Sequence, residues 1–146
     1  MARDPALTSK IMAAIKSKNT SPELKLRRAL WSRGLRFRVT ARDLPGQPDL
    51  VFSRVKMAVF CDGDYWHGHN WALRGFKSLE EELLTYKPYW RAKILGNVRR
   101  DEIANLKLRE LGWTVLRFWA SLIDADVGRC VDQVESEYRR LLALIE

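Results

Sequence analysis

Apolar positions recur along this chain at two spacings, one near 3.6 residues and one near two, and the alternation between them predicts the order of elements. From Thr8 to Ser17, Ile11, Met12 and Ile15 stand at helical spacing among Lys10, Lys16 and Lys18, which predicts a short basic helix. Ser21-Pro22-Glu23 offers a cap residue, a first-turn proline and an early carboxylate. A second helix therefore starts there, with Leu24, Leu30 and Trp31 on its apolar side and Gly34 at its end. Short apolar runs at Leu35 to Thr40, Asp49 to Phe52 and Met57 to Asp62 predict strands. The last two are joined closely enough, through Val55-Lys56, for an antiparallel hairpin. After a loop around His69 to Lys77, the recurrence of Ile94, Val98, Ile103, Leu106 and Leu108 predicts a helix from Lys87-Pro88 to about Leu111, stopped by Gly112. Trp113 to Trp119 reads as another strand, and Val127, Val131, Val134, Tyr138, Leu141, Leu142 and Ile145 mark one face of a closing helix. With no repeat and no low-complexity linker, this order predicts a single α/β domain over residues 1–146, a mixed β-sheet flanked by helices.

Composition narrows the class of partner. The chain has 146 residues, enough to bury a core, and 26 Lys+Arg against 18 Asp+Glu give a net charge of +8. A polyanion is thus the first partner to consider, although charge alone does not separate DNA, RNA and acidic membrane. No apolar run approaches the roughly 20 residues that cross a bilayer, and Met1-Ala2-Arg3-Asp4-Pro5 lacks the apolar segment of a secretory signal. Cytoplasmic residence is the expectation, and nucleoid association follows if the partner is DNA. Cys61 and Cys130 form neither a metal-type spacing nor a disulfide framework, so reduced thiols are expected.

The chemistry concentrates where apolar runs end. Phe60-Cys61-Asp62-Gly63-Asp64-Tyr65-Trp66-His67-Gly68-His69 places carboxylates, imidazoles, aromatics and glycines directly after a strand, and Pro48-Asp49 puts an acid at the start of its hairpin partner. Two adjoining strands can bring Asp49, Asp62 and the carbonyl of Cys61 to one small volume. Oxygen ligands of that kind suit Mg²⁺, and a neutral histidine such as His67 suits removal of a proton from water. A basic protein so equipped can hydrolyse phosphodiesters.

At this point the resemblance is specific. Pro45-Gly46-Gln47-Pro48-Asp49, the Phe60 to His69 stretch, Lys93-Ile94-Leu95-Gly96-Asn97-Val98-Arg99-Arg100-Asp101, Leu111-Gly112-Trp113-Thr114-Val115-Leu116 and the opening Ser9 to Glu23 resemble, in order, the very short patch repair (Vsr-like) endonucleases of the restriction-endonuclease-like superfamily. The resemblance covers nearly the whole chain. It implies a restriction-endonuclease-like core and a Mg²⁺-dependent DNA endonuclease leaving 5′-phosphate and 3′-hydroxyl ends, with double-stranded DNA as partner. It makes Asp49 the central metal-binding aspartate, the Cys61 backbone a carbonyl ligand, His67 the water-activating base and Glu23 a supporting acid. Asp62 falls where some relatives carry histidine and would orient water or bind a second metal; the superfamily's catalytic lysine has no counterpart at Gly63-Asp64. Tyr65 and Trp66 match an aromatic wedge between base pairs, Met12 an apolar residue entering from the other groove, and Lys93 and Asn97 positions near mismatched bases. Lys16, Lys18, Arg99 and Arg100 are candidate phosphate contacts, which makes residues 1–20 a basic DNA-contacting segment. His69 and Asp101 are candidates for supporting roles beside the site.

One departure is a missing zinc set. Relatives with structural zinc use three cysteines and a histidine, whereas here Asp64, Trp71 and Ser121 accompany His69, so zinc is not expected; a site of His69, Asp64 and Cys61 would mix hard and soft ligands. Nicking of mismatched or distorted duplex is the first functional reading. A homing- or restriction-associated nuclease cutting a specific site is the nearest alternative, and a non-catalytic DNA-binding module is the alternative of another class. A monomer is expected, with a dimer as the route to double-strand cleavage. Several residues also have plain structural readings: Asp49 as a turn acid, Glu23 as a carboxylate favoured by the helix dipole, His67 and His69 as polar loop residues, Tyr65-Trp66 and Met12 as core, and Lys93, Asn97 and Asp101 as an exposed helix face.

Overall fold

The computed structural model describes residues 20–39 and 41–146, so the basic helix expected from Thr8 to Ser17, with Met12, Lys16 and Lys18, lies outside the described residues. Helix α1 (Ser21–Ser32) is capped by Thr20 with Pro22 in its first turn, and it buries Glu23, Leu26 and Leu30. Trp31, expected on the apolar side, is 53% exposed and stacks under the Arg36 guanidinium instead. Four strands follow the order β1 (Arg38–Val39), β2 (Leu50–Phe52), β3 (Met57–Asp62) and β4 (Thr114–Trp119), which are neighbours in the sheet in that order. The expected hairpin is present, β2 and β3 pairing antiparallel with Leu50 opposite Val59. Strands β3 and β4 are parallel, with Phe60 opposite Arg117 and Asp62 opposite Trp119, so the chain crosses over between them. The crossover carries two short helices, α2 (Asn70–Leu73) and α3 (Leu79–Leu83), and the long α4 (Pro88–Glu110). Helices α5 (Ala120–Ala125) and α6 (Val127–Ile145) close the chain, Asp126 capping α6 by accepting from the Arg129 N–H.

Period-two alternation along the strands decides which layer each side chain joins. Leu50, Phe52, Met57, Val59 and Phe118 pack with Leu26, Leu30, Val131 and Val134 of α1 and α6, whereas Val51, Ala58 and Phe60 pack with Leu108 of α4. The result is a mixed α/β sheet with helices on its faces, as the apolar pattern requires. On α4 the pattern overstates burial. Ile94, Ala104 and Leu108 are buried, but Ile103 and Leu106 are 44% and 60% exposed, because at about 100° per residue they fall on the side of the helix away from Leu108. Asp62, sharing the parity of Ala58 and Phe60, falls on the α4 side of the sheet.

The turn before β2 is pinned to α4. Gly46 has φ +74°, and a Cβ there would meet the Ala104 Cβ at 2.7 Å and the Phe60 ring at 3.3 Å. Only glycine combines that left-handed backbone with so close an approach. Gly46→Ala is expected to cost about 1–3 kcal/mol in a thermal melt, from strain plus displaced packing. An unchanged melting temperature would show that the turn does not rest on α4.

Candidate active site

Asp49 stands one residue before β2, where its N–H donates to the Val59 carbonyl at 3.1 Å and its Oδ2 accepts from the Cys61 N–H at 2.7 Å. The hairpin register thus locks the carboxylate against the β3 backbone at Cys61, and its orientation is set by backbone rather than by a flexible partner. Glu23, 3% exposed on α1 and paired with Arg27 at 2.7 Å, reaches the same place. Burial pushes the Asp49 carboxyl up to about 8, helped by its hydrogen bond with Glu23 and opposed by the Cys61 N–H. A buried carboxyl held beside a second acid gains from a cation between them, so the donor set fits a hard divalent metal. Cys61 lines the same cleft, and burial followed by the charges of Asp49 and Glu23 pushes its thiol up, leaving an unreactive side chain beside a usable backbone.

The cleft, about 340 Å³, is lined by Gly46, Gln47, Asp49, Phe60, Cys61, Asp62, His67 and Asp101. His67 Nδ1 lies 2.5 Å from Asp101 Oδ2 and 3.8 Å from Asp62 Oδ1. A ring that donates its Nδ1–H to a carboxylate keeps the lone pair on Nε2, the tautomer required of a base. Burial alone would lower the pKa of His67, but the Asp101 hydrogen bond and the charges of Asp62 and Asp101 outweigh it, and the net shift is upward. Asp62 is 4% exposed, and its two oxygens each accept from Arg117 Nη1 at 3.0 Å. Burial raises its carboxyl, while His67 and Arg117 pull it back. The structure therefore brings together Glu23, Asp49, Cys61, Asp62, His67 and Asp101, drawn from α1, the hairpin, the following loop and α4.

The loop after β3 carries the aromatic pair. Trp66 packs edgewise on Tyr65 and, at 5.9 Å between centroids, on Trp90, while Lys93 Nζ sits 5.1 Å over its ring. Tyr65 also meets Tyr86 at 5.5 Å. Neither ring is fully buried, so the core alternative for the pair is met only halfway. Asn97 donates from Nδ2 to the Trp66 carbonyl at 3.1 Å and accepts from Arg100, so its amide is engaged in holding the loop to α4. Arg99 and Arg100 are exposed on the same helix. Gly68 has φ +78°, and a Cβ there would meet Val98 Cγ2 at 2.8 Å and Leu79 Cδ2 at 3.1 Å, so the loop's close packing on α4 needs glycine. Trp66→Ala is expected to weaken binding to duplex DNA by about 1–3 kcal/mol, the worth of a stacked base, with little change in melting temperature. A large loss of stability with unchanged affinity would assign the ring to the fold alone.

Where relatives with zinc would have a ligand set, four groups meet by hydrogen bonds. Asp64 accepts from the Ser121 N–H at 2.9 Å, from the Ser121 hydroxyl at 2.7 Å and from His69 Nδ1 at 2.8 Å. The His69 ring stacks on Trp119 at 4.3 Å and nearly parallel. His69 thus ties the loop to the end of β4 and stands apart from the cleft of His67. Three features of the site were not read from the sequence. Tyr86 and Trp90 extend the aromatic group, and the run Tyr86-Lys87-Pro88-Tyr89-Trp90 at a helix start was the available signal. Helix α3 lies between the loop expected around His69 to Lys77 and the helix expected from Lys87-Pro88, a stretch given no element although Ser78 and Glu81 have capping-box spacing; Ser78 Oγ accepts from the Glu81 N–H. Arg117 was passed over inside an apolar strand, where a lone guanidinium demands a buried acceptor.

Residues 2–73 match the family described as DNA mismatch endonuclease Vsr. Over 135 residues the chain is 38% identical to a Type II nicking enzyme of Neisseria meningitidis serogroup C, covering 92% of this chain and 88% of that one. It is 42% identical over 107 residues to a Type II nicking enzyme of Haemophilus parainfluenzae, covering 73% and 72% of the two chains. It is also 38% identical over 116 residues to the DNA mismatch endonuclease Vsr of Escherichia coli, covering 80% and 70%.

Proposed function

Because this chain belongs to the Vsr family of DNA endonucleases, we propose that it nicks one strand of duplex DNA at a mismatched or distorted step, with Mg²⁺ held by Asp49 and the Cys61 carbonyl and with His67 as general base. The observation that carries the reading is the meeting, in one cleft, of the Asp49–Glu23 carboxyl pair with the His67–Asp101 pair. Mg²⁺, when bound, would withdraw charge from the phosphate and neutralise what develops on it during displacement. The remaining chemistry is that of side chains. His67 Nε2 takes a proton from the attacking water, and the imidazolium so formed is stabilised by Asp101 at Nδ1 and by the nearby Asp62 charge. Water adds to phosphorus as the P–O3′ bond breaks; the departing O3′ takes a proton from solvent to become the 3′-hydroxyl, and the added oxygen remains on phosphorus as part of the 5′-phosphate. Glu23, hydrogen-bonded to Asp49, fixes the position of that carboxyl and supplies the second acid of the pair. Tyr65 and Trp66 wedge into the stack, where unstacking costs least at a weak pair. Lys93 and Asn97 flank that wedge, and Arg99 and Arg100 contact phosphates. Residues 1–20, with Met12, Lys16 and Lys18, complete the DNA surface of a single domain over 1–146 that acts as a monomer in the cytoplasm. No described helix is long and apolar enough to cross a membrane.

A second reading is favoured by the printed names of two of these relatives, which are Type II nicking enzymes. On that reading a specific sequence, rather than a mismatch alone, selects the nick. Labelled duplexes identical except for one T:G mismatch, with Mg²⁺ or with EDTA, separate the two. A Mg²⁺-dependent nick confined to the mismatched duplex supports the first reading; equal nicking of the matched duplex at one site supports the second. Tight, salt-sensitive binding with no strand cleaved in any duplex would remove the base and metal roles assigned to this cleft.

A further inference from the structure

We propose that Arg117 is a positioning residue of this endonuclease: its guanidinium takes up both oxygens of Asp62 and braces Asp101, so that Asp101 alone holds His67 and Asp62 is withheld from any cation in the cleft. The inference rests on the cleft assigned above and says which of its carboxylates is free to act. Every hydrogen-bonding nitrogen of Arg117 is aimed. Nη1 donates to Asp62 Oδ1 and Oδ2 at 3.0 Å and lies 3.6 Å from Asp101 Oδ1, Nη2 donates to the Asp101 carbonyl at 3.4 Å, and Nε donates to Asn105 Oδ1 at 2.8 Å. The guanidinium carbon lies 3.8 Å over the Phe60 ring, on the strand residue directly beside Arg117 in the parallel pair. A planar fork held on one face by an aromatic ring and at its edge by three acceptors has little freedom.

Two carboxylates face the same nitrogen of His67. Asp101 is at 2.5 Å and Asp62 at 3.8 Å, and ligand atoms of all three lie within 4.8 Å of one another. That spacing alone would suit a cation, but Arg117 already supplies a fixed positive charge there. Without it, Asp62 would be free to compete with Asp101 for the Nδ1–H, turning the ring and misdirecting Nε2. Asp62 stands where some relatives carry histidine, and a carboxylate at that position needs a cationic partner that an imidazole would not. Arg117, which the apolar strand otherwise does not require, is that partner.

The test uses the full chain in three variants, Arg117→Met, Asp62→Asn and the double variant, with Asp49→Asn for comparison. Arg117→Met is expected to lower the nicking kcat by about 10- to 100-fold, the usual effect of removing a partner that orients a site residue, with DNA affinity nearly unchanged. The double variant is expected to recover at least about tenfold of that loss, since a neutral amide competes weakly for the histidine N–H. If Arg117→Met fails to fold, the double variant, which leaves no unpaired buried charge, carries the comparison and is expected within about tenfold of the parent. In the imidazole NMR spectrum the Nδ1–H resonance of His67 should shift from its parent position in Arg117→Met, as the proton is drawn between two carboxylates, and return to it in the double variant; an unmoved resonance in Arg117→Met would count against the competition. Mn²⁺ titrated into DNA-free protein reads the metal claim directly: Asp49→Asn should lose about tenfold or more in affinity and Asp62→Asn less than about threefold.

The proposal is overturned if Asp62→Asn loses Mn²⁺ as Asp49→Asn does, or if the folded double variant is as impaired as Arg117→Met, or, where that variant does not fold, more than about a hundredfold below the parent. Should the parent protein nick no duplex at all, the functional reading fails by itself. The NMR and Mn²⁺ results still decide the role of Arg117.

Discussion

Asp49→Asn is expected to stop strand cleavage, by about a thousandfold or more, while making the protein more stable. The first effect follows from removing the carboxylate on which the metal site centres; several kcal/mol of charge stabilisation in the transition state correspond to that loss. The second follows from the environment of the same group. Burial and Glu23 raise its folded pKa to about 8, above the ordinary value of 3.8. An acid whose pKa is raised on folding binds its proton more tightly in the folded state, so metal-free stability falls as pH rises from about 4 towards 8. Asparagine has the same shape and never ionises, and it escapes that penalty. Its advantage in melting temperature should therefore be larger at pH 8 than at pH 5, by about 2–4 °C for each kcal/mol recovered. Mg²⁺ competes with the proton for the carboxyl pair and should raise the melting temperature of the parent more at pH 8 than at pH 6, and that of Asp49→Asn little at either. Thermal melts with and without Mg²⁺ at these pH values make the comparison. An asparagine variant that melts lower than the parent at pH 8 would contradict the buried-acid account, and one that still nicks would remove Asp49 from the metal site.

His67→Ala is expected to reduce turnover by about 10²- to 10⁴-fold, the range for loss of a general base, with duplex affinity preserved. The parent should show an acid limb in its kcat–pH profile. Burial would place that limb below the ordinary histidine value of 6.5, but the Asp101 hydrogen bond and the Asp62 and Asp101 charges raise it above. Rate therefore falls as pH drops through a point higher than 6.5, because the imidazole must be neutral to accept a proton. Asp101→Asn should move that limb to lower pH and lower the plateau as well, since asparagine holds the ring without stabilising its charged form. Single-turnover nicking across pH, with binding measured in parallel, distinguishes these effects. Equal losses of affinity and rate in His67→Ala would make the histidine structural.

The two cleavage predictions depend on residues that lie far apart in the chain but were legible along it. Asp49 and Asp62 flank short apolar runs, so their place at strand ends could be read from pattern, and His67 follows five residues later in the polar stretch after β3. The β2–β3 hairpin also follows from spacing, because two short runs separated by a short turn have few other partners, whereas the parallel placement of β4 beside β3 is decided by the packing of α4 across the crossover. Asp101 was a different matter. It sits on a helix whose exposed face carries many charges, and its spacing alone does not separate it from Glu102; only the resemblance marks it as a candidate beside the site. Only the packing of α4 across the end of β3 brings it to His67. The two short helices of the crossover were missed for a similar reason, since four or five residues do not complete enough turns to show a helical period.

The sequence by itself determined the α/β class, the strand order through the hairpin, the identity of the acid and imidazole groups and the basic charge that draws the protein to DNA. Those depend on local periodicity and composition, which the chain carries in its order. The tertiary structure decided which group each buried acid meets: Asp49 with Glu23, Asp101 with His67, Asp62 with Arg117. These pairs span from 26 to 55 positions along the chain. Their choice turns on ångström differences, such as 2.5 against 3.8 Å at one ring nitrogen, and those are set only when α1, the sheet and α4 pack together.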